Sequence, residues 1–342
     1  MTKVSKTPCA KFLLILITTV SISACHKTPV KNNPTPVTPP KGTWKKVNSL
    51  PGEKIQALEV FNNTLYAASA LGVVYSSVDG ITWSASNAIQ PSNSITALAA
   101  FNNMLFAGTQ TNGIFRSTDG GKSWSNNNPS FPQVSSFAVL LNTLYCSSGA
   151  YSGIVAYNET QNQWSAFNNG LPTNYNTDVE KIIPFNNTLL SIQGVNGNYY
   201  LYDKTTGYWN EKYFFNSYTP GLRIDDIIYD LGILYATYDY AILASQNGGV
   251  NWSYDTVGLK RAQIPIYFYP RSVYAGTDKV YTIYNSANAG AWLQQRDRAA
   301  LPGSTWATNQ EHLSFGYSYA VRELNGMLFL ATDNGLYFKK IG

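Results

Sequence analysis

Two stretches of this chain can be laid one on the other. Residues 64–83 read Thr-Leu-Tyr-Ala-Ala-Ser-Ala-Leu-Gly-Val-Val-Tyr-Ser-Ser-Val-Asp-Gly-Ile-Thr-Trp, and residues 104–124 read Met-Leu-Phe-Ala-Gly-Thr-Gln-Thr-Asn-Gly-Ile-Phe-Arg-Ser-Thr-Asp-Gly-Gly-Lys-Ser-Trp. Each is a strand, a turn, a second strand, an Asp/Gly turn and a Trp. A unit this small cannot bury its apolar face alone, so copies must stack.

Copies run through the whole body of the chain. An apolar position recurs at Leu65, Leu105, Leu144, Leu189, Leu234, Val273 and Leu328, at spacings of 40, 39, 45, 45, 39 and 55 residues. Seven residues earlier lies a second apolar column: Leu58, Leu98, Phe137, Ile182, Ile227, Ile266 and Val321. One residue after the anchor come Tyr66, Phe106, Tyr145, Leu190, Tyr235, Tyr274 and Phe329. The pairs Asn62-Asn63, Asn102-Asn103, Asn186-Asn187 and Asn325-Gly326 suit tight hairpins, because these residues tolerate positive φ. A third strand often opens with Gly, as at Gly72, Gly113, Gly153 and Gly335.

This period, with several short strands per copy, predicts an all-β, seven-bladed β-propeller of four-stranded antiparallel blades. Six units end on Trp83, Trp124, Trp164, Trp209, Trp252 and Trp292. The seventh ends without one, and the missing Trp is Trp44, at the front. The segment around Trp44 is therefore expected to complete the last blade, which leaves no open sheet edge. In this reading Trp306 alone falls outside the pattern.

Composition narrows the partners. Six of the 24 basic residues precede Thr43, so the body carries 18 basic against 19 acidic residues. A nearly neutral body with scattered Lys and Arg lacks a footprint for nucleic acid. Cys146 is the only cysteine of the body and sits in a column of small residues after the aromatic one, which marks it as packing and not as a nucleophile. The two histidines, His26 and His312, leave little for a His-based metal site, and a Ser-His-Asp triad would hang on His312. No metal and no cofactor are expected.

Residues 1–24 read as a secretory signal: Lys3, Lys6 and Lys11, then a short apolar core from Phe12 to Val20, then small residues. Ile22-Ser23-Ala24-Cys25 resembles the lipobox of bacterial lipoproteins, which implies lipid on Cys25 and attachment to a membrane. His26 in place of Asp favours the outer membrane within that pattern, periplasmic or surface-facing. Residues 25–42 hold Pro29, Pro34, Pro36, Pro39 and Pro40 and read as an extended tether. The propeller is assigned to 43–342.

Ser117-Thr118-Asp119-Gly120-Gly121-Lys122-Ser123-Trp124 matches the Asp-box, or BNR repeat, Ser-x-Asp-x-Gly-x-Thr/Ser-Trp. Ser77, Asp79 and Trp83 belong to a copy one residue short, and Ser245, Asn247, Gly249 and Trp252 to a copy with Asn for Asp. The body resembles the Asp-box propellers, which include sialidases, sortilin-type receptors and photosystem II assembly-factor-like proteins. Blades three and four depart from it and look more like kelch repeats, without the kelch Gly-Gly pair. The resemblance implies a structural role for Asp79 and Asp119, satisfying turn N–H groups while the Trp packs between blades.

It also supplies a test for catalysis. A sialidase needs three arginines, a Tyr with a Glu, and an Asp acid/base. No arginine precedes Arg116, the nearest echo of the family's Arg-Ile-Pro is Leu222-Arg223-Ile224-Asp225, and seven blades replace the expected six. The sialidase set is not found. The aromatic-dense segments 264–271 and 213–218 and the long connection 293–319 offer Tyr267, Tyr269, Arg271 and Trp306 as candidate ligand-binding residues. The expected function is a monomeric, non-catalytic binding or scaffold lipoprotein that recognises a glycan or an envelope protein over the channel mouth. The alternative is a glycosidase or lyase using carboxylates such as Asp225 and Asp226, whose plainer reading is a channel-lining strand start.

Overall fold

The computed structural model describes residues 42–341, apart from 90–93, 129, 150–151, 173–177, 194–196, 216–222, 240, 260–267, 287–289, 308–310 and 315. The leader, Cys25 and most of the tether thus lie outside the described residues. Among the described residues the strands pair into seven four-stranded antiparallel sheets. Blades one to six span residues 55–85, 95–128, 134–166, 179–213, 227–254 and 268–313. Blade seven spans 318–340 and takes its fourth strand from Lys45–Lys46. That strand lies antiparallel to Gly335–Lys340, with Lys45 opposite Phe338 and Lys46 opposite Tyr337. Val47 N–H extends the ladder to the Leu336 carbonyl at 2.9 Å. The expected closure by the Trp44 segment is therefore the observed one.

The hairpin turns follow from their residues. Both central positions have positive φ at Asn62-Asn63, Asn102-Asn103, Asn186-Asn187 and Asn325-Gly326. Leu141-Asn142 and Leu231-Gly232 adopt the same shape, with Leu at 46° in each. Such turns match the natural twist of the strands they join.

Seven apolar clusters lie between successive blades. Each unites an aromatic-column residue of one blade with the Trp of the next: Tyr66 with Trp124, Phe106 with Trp164, Tyr145 with Trp209, and Phe329 with Trp83. Trp164 meets Phe106 edge-on at 6.0 Å, and Trp83 meets Phe329 at 6.5 Å. Aromatic pairs of this geometry add to the area they bury. Trp44 joins Tyr281 and Leu328 and so sits in the seam of the wheel.

Blade six corrects the sequence reading. Val273 lies in the first strand, Phe268–Ala275, and the second strand is Lys279–Ser286. Val280 and Tyr281 hold the anchor and aromatic positions, and Val273 fills the earlier column in place of Ile266, which lies outside the described residues. The unit's Trp changes with the register. Trp292 lies in the third strand, paired with Tyr284 and His312. Trp306 takes the blade-end place: its N–H donates to Val257 O at 2.8 Å and its indole Nε1–H to Asp255 O at 3.0 Å. Trp209 makes the same two bonds to Asn169 O and Phe167 O, at 2.7 and 2.8 Å. Trp292, not Trp306, is the supernumerary Trp.

Candidate ligand-binding channel

First strands line the axis of a propeller. Here they share one irregularity. The pairing slips by a residue between Ile55 and Ala57, Ile95 and Ala97, Val134 and Ser136, Val179 and Lys181, Pro270 and Ser272, and Ser318 and Ala320. Blade five reaches the same arrangement through Thr237, whose Oγ1 accepts the N–H groups of Asp225 and Asp226 at 3.1 and 2.8 Å. A bulge leaves one residue unpaired and re-aims its side chain. The residues so released are Gln56, Thr96, Ser135, Glu180, Asp225, Arg271 and Tyr319, one per blade, and all line a central cavity of about 820 Å³.

The sequence carried a signal for this ring. Two apolar residues stand three apart, as in Ile55/Leu58, Ile95/Leu98, Val179/Ile182 and Ile224/Ile227, and both are buried. In a regular strand residues three apart face opposite sides. Burial of both requires the extra residue.

The ring is chemically lopsided. Blades one to three contribute Gln56, Thr96 and Ser135, whereas blades four to six contribute Glu180, Asp225 and Arg271. Most of the acids here are already matched. Asp225 Oδ1 accepts from Arg271 Nη1 at 2.7 Å and from Arg223 Nε at 2.5 Å. Asp226 is buried, pairs with Lys181, and accepts from Ile227 and Val273 N–H at 2.9 and 2.8 Å. Arg298 forks onto Asp230 at 2.8 and 2.6 Å. Glu180 differs: it makes no hydrogen bond or ion pair among the described residues. Burial pushes its carboxyl above the ordinary range, and the charge of Arg223 opposes that rise. Tyr319 donates to Asp333 at 2.5 Å and lies under Lys54 Nζ, 4.3 Å from its centroid.

The expected ligand residues part company. Arg271 belongs to the ring. Tyr267 lies outside the described residues, and Tyr269 is placed by its backbone alone, opposite Asn285. Trp306 is completely enclosed and presents nothing to the channel. Arg296 covers its ring at 4.7 Å, and it closes the joint between blades five and six. His312 is exposed on an outer strand, its ring tilted against Trp292 at 4.6 Å, and stands apart from the cavity lining.

The Ser/Asp turns act on their own backbone. Asp79 Oδ1 accepts from Ile81 and Thr82 N–H at 2.8 and 2.7 Å, and Ser77 Oγ accepts from Gly80 N–H at 2.7 Å. Asp119 Oδ1 takes Lys122 and Ser123 N–H at 3.1 and 3.0 Å, and Ser117 Oγ takes Gly121 N–H at 2.9 Å. Trp83 and Trp124 each close their turn by an indole bond of 3.2 Å, to Gly80 O and Gly121 O. Asn247 Oδ1 accepts from Asn251 N–H at 2.9 Å, and Gly249 N–H donates to Ser245 Oγ at 2.8 Å. The N–H bonds of Ile81 and Thr82 hold Asp79 at about 2, and the Ser123 hydroxyl together with the turn N–H groups lowers Asp119 further, so neither is an acid in wait. Cys146 is fully buried with its thiol pushed well up.

The chain enters the wheel away from the ring. Gly42 lies against the backbone of Lys340, at the far end of the last third strand. That is the face of the one–two and three–four turns. The bulged residues sit near the start of each first strand, toward the opposite face.

A family model described as a DUF6242 beta propeller domain matches residues 26–163. No curated protein matches in sequence. Among solved structures, YCF48 from Cyanidioschyzon merolae is 15% identical, with 87% of this chain and 98% of that chain covered and a TM-score of 0.65. YCF48 bound to D1 peptide gives 14%, 90%, 96% and 0.65. A streptogramin B lyase gives 13%, 88%, 98% and 0.70. At such identities the likeness speaks to the fold alone.

Proposed function

We propose that the chain is a binding or scaffold protein of the bacterial envelope, which receives a partner at the mouth of its channel. The observation that carries this reading is the ring itself: seven unlike side chains, released by bulges, on a stiff closed wheel. Rigid scaffolds that present varied polar groups in a cavity suit recognition. Asp225, Asp226 and Asp230 are neutralised by internal cations, which suits recognition better than acid/base turnover. The lipobox-like Cys25 supports a lipid anchor on the outer membrane, with residues 25–42 as its tether. The hydrogen-bonded Ser/Asp turns support reading 77–83, 117–124 and 245–252 as Asp-boxes. A peptide-bound neighbour of like fold is consistent with a protein partner; a glycan is the other class. Peptide-display selection and glycan-array binding with the mature chain test the reading. Binding by neither, with no loss on changing ring residues, would sink it.

A second reading rests on Glu180. A half-buried carboxyl with a raised pKa, beside Asp225 in a cavity, is what a glycosidase or lyase needs as a proton donor. Hydrolase and lyase screens decide it: turnover abolished by Glu180→Gln would replace the binding reading with this one.

A further inference from the structure

We infer that the face of the one–two and three–four turns is a lipid-contact surface, whose apolar turn residues rest among the headgroups of the membrane that holds the tether. This deepens the lipid-anchor part of the reading above and rests on it.

The argument begins with two leucines. Leu141 and Leu231 each open a one–two turn at a φ of 46°. Four other blades place Asn there: Asn62, Asn102, Asn186 and Asn325, all at positive φ. Asn suits that conformation, whereas a bulky apolar side chain at positive φ is an outlier. Packing does not offset the strain, because Leu141 is 67% exposed and Leu231 64%. Strain kept at a surface position points to a use for that side chain outside the fold. The three–four turns of blades one and five and the long connection of blade six add Val78, Ile81, Val250 and Leu301, each 60% exposed or more. The two sets of turns form one rim. Asn325, in the one–two turn of blade seven, donates to Val78 O of blade one at 3.1 Å, and Asn102 of blade two donates to Glu159 of blade three at 2.6 Å. The Arg298–Asp230 fork likewise brings the Leu301 connection to the Leu231 turn.

The layout selects the occupant. The six side chains stand on blades one, three, five and six, around the wheel and in no single groove. A compact partner would cover one or two neighbouring blades, whereas a lipid surface meets all four at once. A second wheel would be as broad, but the chain leaves from this same face, where Gly42 lies against Lys340, and two tethers would be caught between the copies. Residues 26–41 reach about 50 Å when extended. Lipid on Cys25 therefore keeps this rim at high effective concentration beside the membrane, so individually weak apolar contacts suffice.

The test couples the mature chain chemically, through Cys25, to a maleimide lipid in a supported bilayer of phosphatidylethanolamine and phosphatidylglycerol. Cys146 is fully buried and does not compete. Neutron reflectometry then reads the water layer between body and headgroups. The unaltered body should lie on the bilayer without a resolvable water layer. The double variant Leu141→Asn, Leu231→Asn should stand off on its tether, with an unchanged or raised melting temperature because Asn relieves the turns. Leu71→Asn, in a two–three turn at the other face, should leave the contact as it was. A water layer under the unaltered body overturns the inference, and that profile decides even where the double variant does not fold. A folded double variant that stays down, or loss of contact in Leu71→Asn, overturns it as well. So does a dimer of the uncoupled mature chain that the double variant dissolves, which would assign the rim to a second copy. The coupling is chemical, so absence of lipid on Cys25 in cells defeats the anchor reading and is told apart from these outcomes.

Discussion

Arg296 lies wholly inside the protein with Asp255, one guanidinium nitrogen at 2.8 and 2.7 Å from the two carboxylate oxygens. The side chains are 1% and 0% exposed. Tyr235 accepts from the other terminal nitrogen at 2.9 Å, and Gly303 N–H donates to Asp255 at 2.8 Å. The pair therefore ties the long excursion of blade six to blade five. Asp255→Ala strands a buried cation and should cost about 3–5 kcal/mol, read by chemical denaturation. A loss under about 1 kcal/mol would show that the joint does not depend on it.

Gly258 and Gly170 hold equivalent places beneath Trp306 and Trp209. Their φ values are 78° and 89°, and an added Cβ would fall 2.6 and 2.4 Å from the carbonyl oxygen of the respective Trp. Gly258→Ala and Gly170→Ala should each lower stability by about 1–3 kcal/mol. Melting curves of the two variants check the equivalence of the two blades directly.

The seam offers a third expectation. Removing residues 43–47 takes away Trp44, the Lys45–Lys46 strand and the buried Val47. Such a loss should cost about 3–5 kcal/mol, on the scale of truncating one large buried side chain. An unchanged denaturation midpoint would contradict the closure.

Acid should act on the Ser/Asp turns. Asp79 titrates near 2 in the folded protein and near 4 in an open chain, and Asp119 is lowered further. A depressed folded pKa adds stability above the unfolded value, and this is lost as pH falls through the folded one. The melting temperature should therefore drop between about pH 4 and pH 2. The double variant Asp79→Asn, Asp119→Asn should fold at neutral pH, because Asn247 already makes the equivalent N–H bond without charge. Its melting temperature should change less over that acid range.

For the anchor, Cys25→Ser should abolish labelling by a fatty-acid analogue and move the mature chain out of the membrane fraction. Retention with the membranes would remove the lipid reading.

Much of the wheel could be read from residues. The Asn pairs, the apolar columns and the displaced Trp44 each impose a local geometry that nothing nearby opposes. Blade six misled for a physical reason. Val273-Tyr274-Ala275 spells the same apolar–aromatic–small pattern as Leu65-Tyr66-Ala67, and Val280-Tyr281-Thr282 spells it again seven residues on. Only the pairing decides which triplet is the second strand. The channel was less legible. Arg271 and the Asp225-Asp226 pair stood out, but Gln56, Thr96 and Ser135 look like ordinary solvated strand positions. What unites them is a bulge, a matter of register that residue type does not announce. Trp306 drew notice as an aromatic in a long connection, although its indole is spent on Asp255.

The splice between Lys45 and Phe338 joins positions nearly a full chain apart. During synthesis the early residues must wait, unpartnered, until the very last strand has emerged. Blades one to six can assemble in the order they are made, each leaning on its predecessor. The final joint cannot, so the ring closes only after residues 335–340 have emerged.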